Sequence, residues 1–409
     1  MSRWKGKEVM KRDNETRVVF LDWLRVIACF MVMVVHACEA FYFNDAGETC
    51  FRSPSDARWA VGIDSACRAA VPLFVIASSF LLFPLKRATG DFFRRRLVRV
   101  MVPFLLWSGI YIVWNALNFD KGVSCDVSAL GTNFARFFFN FPMTTGGHLW
   151  FVPMLLGLYL VMPLLSPWAE KVTEKELRGW ILLWLLTTLF PFVRKLWACW
   201  FASGADAVSG TFWSHTFGLG DFEDLPFLWG ECPWNSFGTF QYVSGFFGYL
   251  LIGLYLRKFL PPLNWRQTLS WAIPLWTVGY AIVAGFFYFR IPFDGTFPLT
   301  RPYALAVDLE MSWEFCSLGV ALTVIGYVLV LRKLDFSGWF YAHVVRPVSE
   351  ASYGTYLMHM LVLAPVVGFY REAFSTPVTI VATAATTYVV ACLVSVILRR
   401  IPLIGRSLV

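Results

Sequence analysis

The sequence predicts an all-α polytopic membrane protein, a bundle of about ten transmembrane helices with both termini in the cytoplasm. Three observations carry that expectation. Of the 409 residues, 57% are hydrophobic and only 15% are charged, where a soluble domain carries about 25% charged residues; the mean hydropathy is +0.58. Ten apolar segments reach or approach the roughly 20 residues that cross a bilayer core. The loops between them alternate in charge, and the side holding most of the 35 Lys and Arg residues is the cytoplasmic one by the positive-inside rule. The same composition excludes disordered, collagen-like and disulfide-scaffold classes. The formal net charge of +8 does not point to nucleic acid, because the basic residues are spread among short loops rather than gathered on one soluble face.

Each predicted span has its own punctuation. The first, 18–43, follows a basic tail ending in Arg17 and is interrupted by Asp22, Arg25, His36 and Glu39. Its length and the lack of a small-residue cleavage site distinguish it from a signal peptide. The second, 66–85, stops at Lys86 and Arg87, and the third, 97–119, is entered through Arg94, Arg95, Arg96 and Arg99. The fourth, 149–168, ends before Lys171, and the fifth, 179–201, follows Arg178. The sixth, 237–259, closes with Arg257 and Lys258; the seventh, 268–288, starts after Arg266; the eighth, 303–331, stops at Arg332 and Lys333. The ninth, 348–370, follows Arg346, and the tenth, 377–398, ends at Arg399 and Arg400.

The outer loops are 44–65, 120–148, 202–236 and 290–302, and the Phe, Trp, Gly, Asp and Pro of 211–236 suggest a folded cap. None is long enough for a separate domain, so residues 1–409 are expected to form one domain. No internal repeat is found, and inverted-repeat transporter architecture gets no support. The nine cysteines fit no metal-ligand spacing, so no metal site is expected. Cys50, Cys125, Cys199 and Cys232 fall in or beside outer loops, where a disulfide and free thiols are both open readings.

Ionisable side chains within a span cost about 2.5 to 3.5 kcal/mol each and therefore mark cavities or partners. Arg25 and His36 are eleven residues apart, about three helical turns, so they share a face with roughly 16 Å between them along the axis. Glu39, at i+3 from His36, is placed to orient the imidazole. The competing reading pairs Arg25 with Asp22 and makes His36 an interhelical hydrogen bonder. Arg95, Arg96 and Arg99 stand at the cytoplasmic mouth, as a site for an anionic cofactor with several phosphates or as a topology signal in contact with anionic lipid. His359 lies near the midplane of the ninth span; a lone His there commonly serves packing. His148 opens the fourth span at the outer surface, and His215 and His343 fall in loops. Asp308, Glu310 and Glu314 lie near the outer face, read mainly as partners of Arg290 and Arg301. Trp213, Trp229 and Trp234 are able to stack on sugar rings, though nothing distinguishes them by sequence.

Leu21-Asp22-Trp23-Leu24-Arg25, with His36 to follow, resembles the opening helix of the acyltransferase 3 family, with its "LDxLR" start and Arg-x10-His pair. Further matches come in family order: Val71 to Phe80, Arg95-Arg96-Leu97-Val98-Arg99, His148-Leu149-Trp150-Phe151, and the run from Ser352 to His359. Tyr159 and Pro163 make the fourth span most similar to the branch containing the enterobacterial common antigen O-acetyltransferase. Two positions depart from the pattern: Ser78-Ser79-Phe80 stands where members commonly have Ser-Gly-Phe, and no acid follows Trp150, as it does in the O-antigen-modifying branch.

The resemblance implies a multi-pass protein of the bacterial inner membrane that transfers an acyl group, acetyl in that branch, from cytoplasmic acyl-CoA to a hydroxyl of an envelope saccharide or lipid-linked glycan. Acyl-CoA is then a donor substrate rather than a resident cofactor, with its phosphates at Arg95, Arg96 and Arg99. His36 is the implied general base, and Arg25 and His359 position the donor arm or stabilise the oxyanion. Membrane lipids are the remaining partners, and the oligomeric state is open. The rival is a secondary transporter of a glycan or lipid precursor, with the buried Arg and His as substrate or proton sites.

Overall fold

The computed structural model describes residues 17–42, 50–117, 147–190, 237–290, 297–300, 313–402 and 405. Of the residues singled out in the sequence, His215, Asp308, Glu310, Arg301, Trp213, Trp229, Trp234, Cys125, Cys199 and Cys232 lie outside the described residues.

The first helix, α1 (Val19–Glu39), runs through the middle of the bundle, against α2 (Pro54–Cys67), α3 (Ala70–Leu82), α10 (Arg346–Arg371) and α11 (Thr376–Leu398). Its apolar face supplies Leu21, Leu24, Ala28 and Met33, all essentially inaccessible. The long α4 (Thr89–Leu117) packs on α10 and on α5 (Phe151–Lys171), the latter entered through a tight helical turn at Gly147–Trp150. α6 (Glu174–Thr187), α7 (Phe247–Lys258), α8 (Trp265–Arg290) and α9 (Leu318–Leu331) complete the bundle, with α8 packed chiefly on α9 and α10 on α11. Two short strands, β1 (Cys50–Phe51) and β2 (Leu299–Thr300), pair antiparallel with Cys50 opposite Thr300.

Among the described residues eight helices are long and apolar enough to cross a membrane. Each of the ten predicted segments contains a helix, and the two outside that group, α6 and α9, are 14 residues long as described. This is an all-α polytopic membrane protein. The second and third spans start earlier than predicted. Residues 54–65, assigned to an outer loop, belong to the helix Pro54–Cys67, capped by the Ser53 hydroxyl accepting from the Asp56 amide, and the Arg94–Arg99 run is the first part of α4 rather than a loop.

Small residues set the closest contacts. A Cβ on Gly253 of α7 lies 2.5 Å from Ser79 Cβ, and the Ser79 hydroxyl donates to the Leu250 carbonyl at 2.6 Å. The room for the Ser79 side chain is made by the missing side chain of Gly253 on the partner helix. Gly248 does the same for Trp184, whose ring fills the volume of the missing Cβ and whose indole N–H donates to the Gly245 carbonyl at 2.8 Å.

Basic residues finish helices at one end of the bundle. Lys258 Nζ donates to the carbonyls of Ala169, Glu170 and Val172 at 3.1, 2.8 and 2.9 Å, satisfying the end of α5 as a C-terminal cation does. Arg257 reaches the carbonyls of Phe80 and Phe83, Arg332 those of Leu260 and Pro261, and Lys333 that of Leu263. These cations therefore serve as caps. Arg94, Arg95 and Arg99 cap no helix among the described residues.

Candidate functional site

The site is strung along α1. At the basic end Asp22, 2% exposed, accepts four hydrogen bonds: from Arg17 Nε and Nη2 at 2.6 and 3.0 Å, from Tyr341 at 2.7 Å and from Ser349 at 2.6 Å. Its oxygens are thus saturated, and Arg25 approaches only to 3.6 Å. Burial opposes the charge on Arg17, but its hydrogen bonds and proximity to Asp22, and then Glu350, outweigh that and raise its pKa. The expected Asp22–Arg25 pair exists as a secondary contact, and Arg25, with its side chain 29% exposed, makes no hydrogen bond among the described residues. Tyr159 of α5 is buried within electrostatic range of both Arg25 and Arg96.

α4 distributes its arginines over two faces. Arg94, Arg95 and Arg99 line a cleft of about 800 Å³ whose other wall is Glu350 and Tyr353 of α10 and Arg399 at the end of α11. Arg96 is not on that lining, and lies within electrostatic range of Tyr159 and Arg25. Of the three arginines singled out in the sequence, Arg95 and Arg99 share the cleft and Arg96 does not. Glu350 is held by Arg17, Arg346 and Arg399 at 2.7, 3.2 and 3.4 Å.

Three turns further along α1 the chemistry changes to imidazole. His36 Nδ1 lies 2.9 Å from Glu39 Oε1, so the ring donates there and leaves Nε2 as its acceptor. His359 of α10 has its ring centroid 5.0 Å from that of His36, and His148, in the turn before α5, is 4.9 Å from His359 and 6.3 Å from His36. Three spans thus bring three histidines together. His359 is fully buried; its Nδ1 donates to the Tyr356 carbonyl at 2.5 Å and, among the described residues, its Nε2 has no hydrogen-bond partner. Tyr356 in turn donates to the His148 carbonyl, and Tyr111 of α4 donates to the Leu357 carbonyl at 2.9 Å and packs edge-on against His148. Among the described residues no group of three His, Cys, Asp or Glu side chains is disposed to hold a metal ion.

His148 is the residue sequence reasoning passed over. Placed at the outer surface because it precedes an apolar run, it is buried, at 8% exposure, because the Gly147–Trp150 turn folds it inward beneath Tyr111 and Tyr356. His343, expected in a loop, lies in the helical turn at Tyr341–Val345 and stacks on Trp339. Cys50 is a free thiol.

A bundle of membrane-spanning helices with guanidinium groups at one end of a central helix and a carboxylate-held imidazole cluster toward the other has the parts of a membrane group-transfer enzyme. Residues 18–398 match the family model for the acyltransferase domain of the acyltransferase 3 type. The chain belongs to that family and is a multi-pass membrane acyltransferase. No curated protein and no solved structure matches it.

Proposed function

We propose that the protein transfers an acetyl group from acetyl-CoA, held at the basic end on the cytoplasmic side of a bacterial inner membrane, to a hydroxyl of an envelope saccharide or lipid-linked glycan, as in the enterobacterial common antigen branch. The observation that carries this reading is the His36–Glu39 pair. With Nδ1 donating to the carboxylate, His36 Nε2 is available to take the acceptor's hydroxyl proton. The hydroxyl oxygen attacks the thioester carbonyl carbon, the tetrahedral intermediate collapses, the C–S bond breaks, and the thiolate leaves. His36 returns the proton to the sulfur, so the products are the ester and free CoA, without an acyl-enzyme.

Arg25, at the basic end of the same helix, guides the donor arm toward His36. The tautomer of His359 makes its Nε2 an acceptor, which favours a role in positioning the acceptor hydroxyl over donation to an oxyanion. His148 packs the third side of the cluster and keeps the imidazoles apart from bulk water.

The test is reconstitution in liposomes with labelled acetyl-CoA, together with mass spectrometry of envelope glycans from cells with and without the gene. Acetyl groups that depend on the gene and on acetyl-CoA support the reading. Unchanged glycans and lipids, with an acyl group going to another acceptor, overturn the proposed substrate.

A further inference from the structure

The basic end carries a second cleft, of about 300 Å³, that shares no lining residue with the one beside α4. Val18, Val19 and Phe20 at the start of α1 and Leu329 of α9 supply apolar lining, and the charged groups are Arg17, Arg332, Lys333 and Asp335. Arg17 is already paired with Asp22 and Glu350. Arg332 and Lys333 meet no carboxylate among the described residues. Their caps on the carbonyls of Leu260, Pro261 and Leu263 engage only part of the N–H groups of a guanidinium and an ammonium, and a carbonyl carries no charge to cancel theirs. Donors and charge both remain. Asp335 makes no side-chain hydrogen bond or ion pair among the described residues, so the cleft presents both signs of charge without an internal partner for either.

A separate observation puts the cleft at the depth of lipid headgroups. Phe336, Trp339 and Phe340, which follow Asp335, are 60%, 72% and 54% exposed. Trp23 of α1 stacks on Phe340 with ring centroids 6.1 Å apart, and its indole N–H donates to the Phe336 carbonyl at 3.3 Å, so this aromatic group is fixed to the start of the span. Trp265, at the start of α8, is exposed and lies 5.6 Å from the Lys333 ammonium. Exposed aromatics beside long cationic side chains at the ends of spans mark the boundary between acyl chains and headgroups. The apolar lining then adjoins the chains and the charged lining the headgroups.

We infer that this cleft binds a phospholipid with a phosphoethanolamine headgroup, its phosphate held by Arg332 and Lys333 and its primary ammonium by Asp335. Charge matching makes the choice. A phosphatidylglycerol headgroup satisfies the cations but leaves Asp335 facing an anion, and a phosphatidylcholine headgroup brings a quaternary ammonium with no N–H to donate. Of the three, the primary ammonium alone completes both pairs with hydrogen bonds. Because Arg17 and the first residues of α1 line the same cleft, the bound lipid braces the start of that helix. The site stands apart from acyl transfer and does not depend on the proposed donor or acceptor.

The experiment is competition native mass spectrometry on the purified full-length protein, delipidated in detergent and offered dioleoyl phosphatidylethanolamine, phosphatidylglycerol and phosphatidylcholine at equal concentration. The wild type is expected to retain phosphatidylethanolamine about tenfold over each of the others, the effect of one charge-assisted hydrogen bond. Asp335 is exposed, and Asp335→Asn breaks no contact in the fold; it should bring the ratio to phosphatidylcholine toward one. Asp335→Lys should reverse the order of phosphatidylethanolamine and phosphatidylglycerol. These ratios are insensitive to the folded fraction of a preparation. Lys333→Gln, with an unchanged elution profile, should weaken retention of all three lipids alike, and no weakening overturns the placement of the phosphate. Glycerophosphoethanolamine, the same headgroup without chains, should displace the lipid only at a concentration at least about a hundredfold higher, because it buries no acyl chain; equal potency makes this a site for a soluble ligand and overturns the lipid. A wild-type ratio near one, tightest retention of phosphatidylglycerol, or a preference unchanged in Asp335→Asn overturns the inference.

Discussion

The two ends of α1 solve opposite problems. At the basic end the groups are permanently charged and partly open to solvent: Arg17 is shared between Asp22 and Glu350, and Arg94, Arg95 and Arg99 face a wide cleft. Toward the other end the groups are imidazoles, closed in by Tyr111 and Tyr356, with His359 locked to a carbonyl and His36 to a carboxylate. The difference shows what each task demands. Holding an anion needs charge that never titrates and tolerates a loose fit, whereas moving a proton needs a neutral ring, a fixed tautomer and a free lone pair.

That division predicts a graded series of effects. Replacing His36 with Ala should lower turnover by at least about a hundredfold, the usual contribution of a general base, with normal abundance and insertion. His36→Lys should fail as completely, since an ammonium group cannot accept the proton. Wild-type turnover in the Ala variant, assayed on membranes with labelled acyl-CoA, removes the proton-handling end from the comparison.

Glu39→Gln should act next most strongly, at about tenfold to a hundredfold, because it replaces a charge-assisted hydrogen bond on His36 with a neutral one. The loss belongs in kcat, with the donor KM unchanged. A change confined to KM would place Glu39 in binding.

Replacing Arg95, Arg96 and Arg99 together with Gln should weaken acyl-CoA affinity and flatten its dependence on ionic strength, as removal of phosphate contacts requires. Unchanged affinity in detergent with disturbed insertion would reduce the cluster to a topology signal. The smallest effect on catalysis is expected from Asp22→Asn, which should act on stability, lowering it by about 1 to 3 kcal/mol through a weakened hydrogen-bond hub. It is read as earlier melting in detergent.

The spans were legible because hydropathy and loop charge are averages over many residues. What escaped was local compensation. Residues 54–65 read as part of a loop since Asp56, Arg58 and Asp64 interrupt the apolar pattern. In the structure Arg68 closes on Asp64 at 2.5 and 2.8 Å and stacks on Trp313, its guanidinium carbon 4.2 Å from the ring, so a charged helix becomes buriable. His36, Arg25 and His359 were found as ionisable groups inside spans. His148 sits one residue before an apolar run, and only the tertiary fold reveals that the run begins with a turn into the core.

The fastening of Asp22 also bears on how a group crosses the bilayer. Arg17, Tyr341 and Ser349 grip the start of α1, Tyr388 donates to the Val26 carbonyl at 3.0 Å, and just beyond the other end Tyr42 donates to Asp64 at 3.2 Å. Sliding that helix by even one turn breaks all of these at once. α1 is therefore a keel rather than a piston, and on the proposed function the distance between Arg25 and His36 is spanned by the length of the donor itself.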